Sequence, residues 1–379
     1  SGVIGGTISI YDNGRLIGTA TVGSNGSWSF TPDTALADGS HSFTATVTDG
    51  VGRTSEPTGG FGIVIDTKAP DAASDLLVTD NVGAYQGPVV SGDTTDDNTP
   101  TLSGRAEPGS TVNIIDNGQV IGSTKVNPDG TWSYTPLLPL TEGPHTFAVT
   151  ATNTTTGATS GQSPVATVTV DLTAPTAPAI GAVTDDVGPI TGPIADGQST
   201  NDNRPTLTGT GTAGDTITVY DNGDPLGTVI VGPTGTWSYT PPVLDDGSHT
   251  LTVTATDPAG NESTPSAGIT IVVDTVSTTP VITSVTDNAG NAATPVPSSD
   301  PTNDTTPTLT GTAEPNSVVA IFDGTTQIGT VAADGTGAWT FTPETALGEG
   351  THDFTVRATD PQGNVSQPSN AWSVEIDLT

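Results

Sequence analysis

The sequence predicts an all-β fold, built from tandem immunoglobulin-like β-sandwich domains of about seven strands each, arranged end to end as a rod. Three observations predict it: a composition of strand and turn formers, short runs of period-2 apolar alternation, and an internal repeat of about 103 residues. The chain is rich in Thr, Val, Ile, Ser, Gly, Pro and Asn, and no 12-residue window shows apolar recurrence at helical spacing. Hydrophobic residues make up 32% and aromatics 4%, beside 47 Gly and 31 Pro. That is too little apolar material for one large core, but it suits several small sandwiches with many turns.

Charge and missing residue types narrow the function. Seven Lys plus Arg against 41 Asp plus Glu leave a net charge of −34. No basic surface is available to displace counterions from a nucleic acid, so cations are the natural partners. The chain has no Cys, which removes disulfides, thiolate nucleophiles and zinc-cysteine sites. It also has no Met, which marks it as an internal segment, so the lack of a signal peptide or membrane span says nothing of the parent protein. The segment itself is expected to be monomeric and not to insert in a membrane.

Four landmarks set the repeat. The tryptophans of GSWSF, GTWSY, GTWSY and GAWTF are Trp28, Trp132, Trp237 and Trp339, spaced by 104, 105 and 102 residues. Hairpin aspartates follow at Asp12, Asp116, Asp221 and Asp323, and the chain's only histidines at His41, His145, His249 and His352. The closing strands end on Asp66, Asp171, Asp274 and Asp377. These divide the chain into 1–68, 69–173, 174–276 and 277–379, the first lacking the opening third of the repeat.

Within 174–276, seven strands are predicted over 179–184, 205–211, 215–221, 226–231, 236–240, 249–256 and 268–274. Asp221-Asn222-Gly223 is a hairpin turn signal, because Asn-Gly tolerates the positive φ angles of a type I′ turn. An odd strand number places entry and exit at opposite poles, which lets copies chain end to end. The Trp and the alternating strand HTLTVTAT should fill the core. One His per copy offers no partner for zinc or a catalytic triad and reads as structural, the hairpin Asp as a turn former. No nucleophile elbow or phosphate-binding loop occurs, so no enzyme activity is expected.

The distinctive segment lies between the first two strands of each complete copy. From Thr79 to Pro100, Thr184 to Pro205 and Thr286 to Pro307 its ends lie 21 positions apart, with variable middles. Such a length without secondary structure is unusual, and its constancy implies pinned ends. Those ends carry Asp80, Asp185 and Asp287 at the start, and Asp97, Asp202 and Asp304 near the finish. By strand parity they reach the exit pole together with the closing-strand aspartates Asp66, Asp171 and Asp274. The next domain presents entry-pole turns, TDPAGN with Asp257 and TDPQGN with Asp360. Carboxylates converging on a junction repel unless a cation holds them. Ca²⁺ fits, because it takes six to eight oxygens in irregular geometry, whereas Mg²⁺ demands stricter order and soft metals lack their ligands here. Asp and Asn also cap turns, and for Asp257 and Asp360 that role stands beside the metal one. At the first junction Asn153 replaces Asp257 and Asp360, and the long acidic loop is missing, so fewer ions are expected around Asp66 than at Asp171 and Asp274.

The combination VTDDVG, TNDNRPTLTGTGTAGDTITVYDNG, GTWSYTP, DGSHTLTVTATDPAGN and VVDT resembles the bacterial Ig-like repeats of giant type I-secreted adhesins and biofilm proteins. The likeness covers all four copies. It implies a secreted or cell-surface protein with a long rod of repeats, Ca²⁺ stiffening the junctions, and host-cell attachment through the distal part of the parent. Motif residues carried over are Asp80, Asp97, Asp171 and their counterparts. The leading expectation is therefore a Ca²⁺-rigidified stalk or spacer. Its rival is a binding module whose variable loops, such as NVGAYQGPVVSG, recognise a host glycan or protein.

Overall fold

The computed structural model describes residues 3–290 and 293–379. The chain forms two compact units, Ser1–Leu172 and Thr173–Thr379. Every regular element among the described residues is a β-strand, and no helix is long and apolar enough to cross a membrane.

In the first unit, the opening repeat contributes β1 (Thr7–Asp12), β2 (Arg15–Thr21), β3 (Gly39–Thr48) and β4 (Phe61–Ile65), in the order β2-β1-β3-β4. Asn13 and Gly14 link β1 to β2 with φ of 43° and 80°, as a type I′ turn requires. No second sheet covers this one among the described residues. Trp28, expected in a core, is therefore 36% exposed, whereas Trp132, Trp237 and Trp339 are 2–4% exposed.

The second repeat supplies β5 (Ser74–Asp80), β6 (Gly87–Val89), β7 (Thr94–Thr95), β8 (Thr101–Arg105), β9 (Thr111–Asp116), β10 (Gln119–Lys125), β11 (Thr131–Tyr134), β12 (Gly143–Thr152) and β13 (Ala166–Val170). They form two sheets, β11-β8-β5-β6 and β10-β9-β12-β13-β7. Alternation puts Leu102, Val112, Ile114, Phe147, Val149 and Trp132 between the sheets, which is the driving burial of the sandwich.

The second unit contains the same pair of sheets twice. Across 174–276 the seven predicted strands appear as Ala179–Asp185, Thr206–Thr210, Thr216–Asp221, Asp224–Ile230, Thr236–Tyr239, Gly247–Thr256 and Ile269–Val273. Two more, Gly192–Ile194 and Ser199–Thr200, arise inside the long segment. The segment is thus not a free loop. Its first short strand pairs antiparallel with the opening strand, and its second pairs parallel with the closing strand of the other sheet, as β6 and β7 do in the second repeat.

Two local devices recur. Trp132, Trp237 and Trp339 each face a glycine across the ladder, Gly104, Gly209 and Gly311, which leaves room for the indole on that face of the sheet. The edge strand after each Asn-Gly or Asp-Gly turn carries a bulge that leaves Ile17, Ile121, Leu226 or Ile328 without a ladder partner. Those four side chains pack against the core. The next residue is always glycine, because the ring of Phe30, Tyr134, Tyr239 or Phe341 occupies the space a Cβ would need.

Candidate metal centre

The loop-end aspartates lie where parity placed them, at the pole where the closing strand ends. The Asp171 amide donates to the Thr95 carbonyl at 2.9 Å, and the Thr95 hydroxyl donates to Asp80 Oδ2. Their carboxylates are occupied by the loop itself. Asp80 Oδ1 accepts from Val82 N–H, while Asp97 accepts Thr99 N–H on Oδ1 and Asn81 N–H on Oδ2. Asp185 with Asp202, and Asp287 with Asp304, repeat the pattern through Thr200 and Thr302. Five of these six acids are buried and Asp287 is half-buried; charge-assisted hydrogen bonds to backbone donors match that burial, and the acids pin the long segment at both ends. In the second repeat Asp96 adds a third carboxyl, whose proton affinity is raised by burial and then by the neighbouring Asp80 charge.

The hairpin aspartates do not cap their own turns. Asp12, Asp116, Asp221 and Asp323 each present Oδ2 to Nδ1 of the repeat's single histidine, at 2.5–2.7 Å. In the first three repeats the turn is held by its Asn instead: Asn117 Oδ1 accepts from Thr146 N–H and its amide donates to the Pro144 carbonyl.

A different set of acids meets at the junction within the second unit. Asp274 ends the third repeat, Glu314 lies in the turn after Thr308–Thr312, and Asp360 begins the turn after Gly350–Thr359. One carboxylate oxygen from each lies within 4.8 Å of the other two. Asp360 is buried; Asp274 and Glu314 are half-buried. Three like charges at this range repel by on the order of a few kcal/mol per pair at an effective dielectric near ~20, less for the two wetter groups. Asp360 also caps its own turn, accepting Gln362 and Asn364 N–H on Oδ1. The Asn364 amide joins the repeats, donating to the Asp274 carbonyl at 2.7 Å and to Asp360 Oδ2 at 2.8 Å.

Two further oxygens flank this junction. Gly363 packs against Pro189 and the Asn201 amide of the preceding repeat's long segment, whose Thr200 carbonyl accepts from Asp274 N–H. Asn201 Oδ1 and Gln362 Oε1 are both buried, and no protein donor among the described residues reaches either. An oxygen-rich set with no sulfur or imidazole fits a hard cation of the calcium type.

The other predicted ligands fall elsewhere. Asp66 meets Asn153, not a second acid: the Asn153 amide donates to Asp66 Oδ2 at 3.3 Å. Asp257 accepts the N–H groups of Ala259, Gly260 and Asn261 in its own turn. Beside it stands Asp215, which is buried, with Oδ2 lacking a protein donor. Burial, then the Asp257 charge, raises the Asp215 carboxyl above its ordinary range. The counterparts of Asp215 in the neighbouring repeats are Ser110 and Ser317, which bond the Glu107 and Glu314 carbonyls. Sequence reasoning missed Glu314 and Asp215. The available signal for the first was the recurrence of Ala-Glu-Pro at Glu107 and Glu314, and for the second an Asp at a position held by Ser in the second and fourth repeats.

A profile described as "Bacterial Ig-like domain" matches residues 2–67, 80–172, 176–275 and 296–378. The chain belongs to the bacterial Ig-like domain family. No curated protein matches this bacterial Ig-like chain. Among solved structures it is similar to the fibronectin(III)-like modules of Clostridium thermocellum CbhA, at 16% identity and TM-score 0.26, covering 51% of this chain and 93% of that one. Similarity extends to the chicken CNTN1 FN1–FN3 domains, at 11% identity and TM-score 0.28, over 81% and 99% of the two chains. A chain titled "Biofilm associated protein - BSP domain" matches at 14% identity and TM-score 0.20, over 100% of this chain and 92% of that one.

Proposed function

We propose that this bacterial Ig-like chain is a spacer segment of a secreted or surface-bound adhesin, and that Ca²⁺ stiffens the junction between its third and fourth repeats. The observation that carries the reading is the meeting of Asp274, from one repeat, with Glu314 and Asp360, from the next. A hard divalent cation supplies the charge that lets these three carboxylates share one place. Asp274 would anchor it to the end of one sandwich, Glu314 and Asp360 to two turns of its neighbour, and the flanking Asn201 and Gln362 oxygens add neutral donors of the kind calcium accepts.

Binding couples to stiffness by mass action. Without the cation, repulsion favours separation of the two repeats; with it, the aligned state gains free energy in proportion to the logarithm of free Ca²⁺ over its Kd. Such a segment stays loose where Ca²⁺ is scarce and aligns where it is abundant. Family membership and tandem repetition support a structural rather than catalytic role, and a large acidic surplus supports solubility outside the cell.

The test is calorimetric titration of the full chain with Ca²⁺, paired with solution scattering before and after chelation. Saturable binding that weakens in Glu314→Gln and Asp360→Asn, with greater flexibility after chelation, supports the reading. Binding unchanged by both substitutions, or scattering indifferent to chelator, overturns it.

A further inference from the structure

We propose that the His–Asp pair of every repeat is an ionic lock: an imidazolium held between a carboxylate and a main-chain carbonyl, closed while the ring carries both protons and opened when it loses one.

Geometry dictates the protonation. Nδ1 of His41, His145, His249 and His352 faces Oδ2 of Asp12, Asp116, Asp221 and Asp323. Nε2 of the same rings faces the carbonyl oxygen four residues earlier, that of Ala37, Thr141, Asp245 or Gly348, at 2.7–2.9 Å. A carbonyl only accepts, so Nε2 must donate. A carboxylate also only accepts, so Nδ1 must donate as well. A neutral ring owns one N–H and would leave one of these oxygens facing a lone pair in a largely buried place.

The surroundings reinforce the charge. Among the described residues, the charged groups that act on three of the rings are acids: Asp12 at His41, Asp221 and Asp245 at His249, and Asp323 and Glu375 at His352; at His145 the bonded partner is Asp116. For His41 the Asp12 hydrogen bond is the chief cause of a raised proton affinity. Burial opposes the charge at His249 and His352, but the bonds to Asp221 and Asp323, with the carbonyls, outweigh it and the net shift is upward.

The lock joins three pieces of each repeat: the end of the hairpin strand such as β9, the start of the long strand such as β12, and the loop that leads into it. For His41, His249 and His352, whose folded-state pKa lies above the unfolded value, this stability is fully present below about pH 6.5 and progressively lost as pH rises through the folded value.

Histidine-selective ¹⁵N NMR of the full chain tests the lock directly. Expected are imidazolium signals, both ring nitrogens protonated, with titration midpoints of His41, His249 and His352 above the ~6.5 of a free histidine. Midpoints at or below that value, or a single neutral tautomer in the folded chain, overturn it. In Asp221→Asn the His249 midpoint should fall while those of His41 and His352 hold; an unmoved His249 refutes the role of the carboxylate. Should that variant fail to fold, the measurement on the unsubstituted chain still decides.

Discussion

Asn153 donates its side-chain amide to the Asp66 carboxylate, at the place in the second repeat that Asp360 occupies, facing Asp274, in the fourth. The two junctions are therefore chemical alternatives: one closed by a hydrogen bond from a neutral amide to a carboxylate, the other crowded by like charges. Asn153→Asp should convert the first into the second, because Glu107 occupies the position of Glu314 there. Thermal melts of the variant should show a loss of stability in chelator that added Ca²⁺ restores. The unsubstituted junction should show no such dependence.

Asp97 is 1% exposed and accepts backbone N–H groups from both ends of the long segment. Asp97→Ala leaves those donors without their charged acceptor, and should cost the second repeat about 3 kcal/mol. Amide exchange at Asn81 and Thr99 should accelerate with it. If the residue is a pin and not a cation ligand, chelator will not change the loss; a Ca²⁺-dependent loss would return Asp97 to the metal set.

Asp215 carries a carboxyl whose proton affinity is raised, so the folded state binds its proton more tightly than the unfolded chain does. Stability contributed by this group is present below the ordinary carboxylate range and is lost as pH rises through the folded value, the reverse of a salt-bridged acid. Asp215→Ser, the residue type of the sister repeats, should therefore stabilise the third repeat at neutral pH in chelator by on the order of 1 kcal/mol. The gain should shrink in acid. Melting at two pH values reads both effects.

Gly311 lies opposite Trp339, and a Cβ there would sit 2.1 Å from the Val281 carbonyl and 2.2 Å from the indole. One obstacle is backbone and the other a rigid ring, so neither yields cheaply. Gly311→Ala should destabilise the fourth repeat by about 3 kcal/mol, the upper end for an overpacked site. Denaturant unfolding followed by Trp fluorescence measures it.

The strands were legible because their punctuation is local. Asp221-Asn222-Gly223 ends one strand and starts the next by backbone preference alone, and alternation in Gly247–Thr256 fixes the buried face. Gly192–Ile194 and Ser199–Thr200 were not legible, since such short strands exist only because a sheet edge stands beside them. The acids divided in the same way. Spacing marked Asp274 and Asp360 as recurrent junction residues, but could not distinguish a carboxylate facing another acid from one filled by its own loop, as at Asp97. Asp and His recur together 28 or 29 residues apart in every repeat, yet only the pairing of the hairpin with the long strand brings Asp116 Oδ2 to His145 Nδ1. Glu314 escaped because Ala-Glu-Pro reads as an ordinary turn.

The bulge at Ile17, Ile121, Leu226 and Ile328 bears on how such a chain folds at all. Copies this similar, joined by short linkers, offer one another compatible strands while they emerge, and exchange between neighbours is the characteristic error of tandem domains. A flat outer strand would be a template for that exchange. Here its ladder is broken at one residue, twisted, and backed by an aromatic ring that fills the place of a glycine side chain, so an incoming strand finds no continuous row of donors and acceptors. The same device that seats one more apolar side chain in each core thus helps to keep every repeat's partners its own.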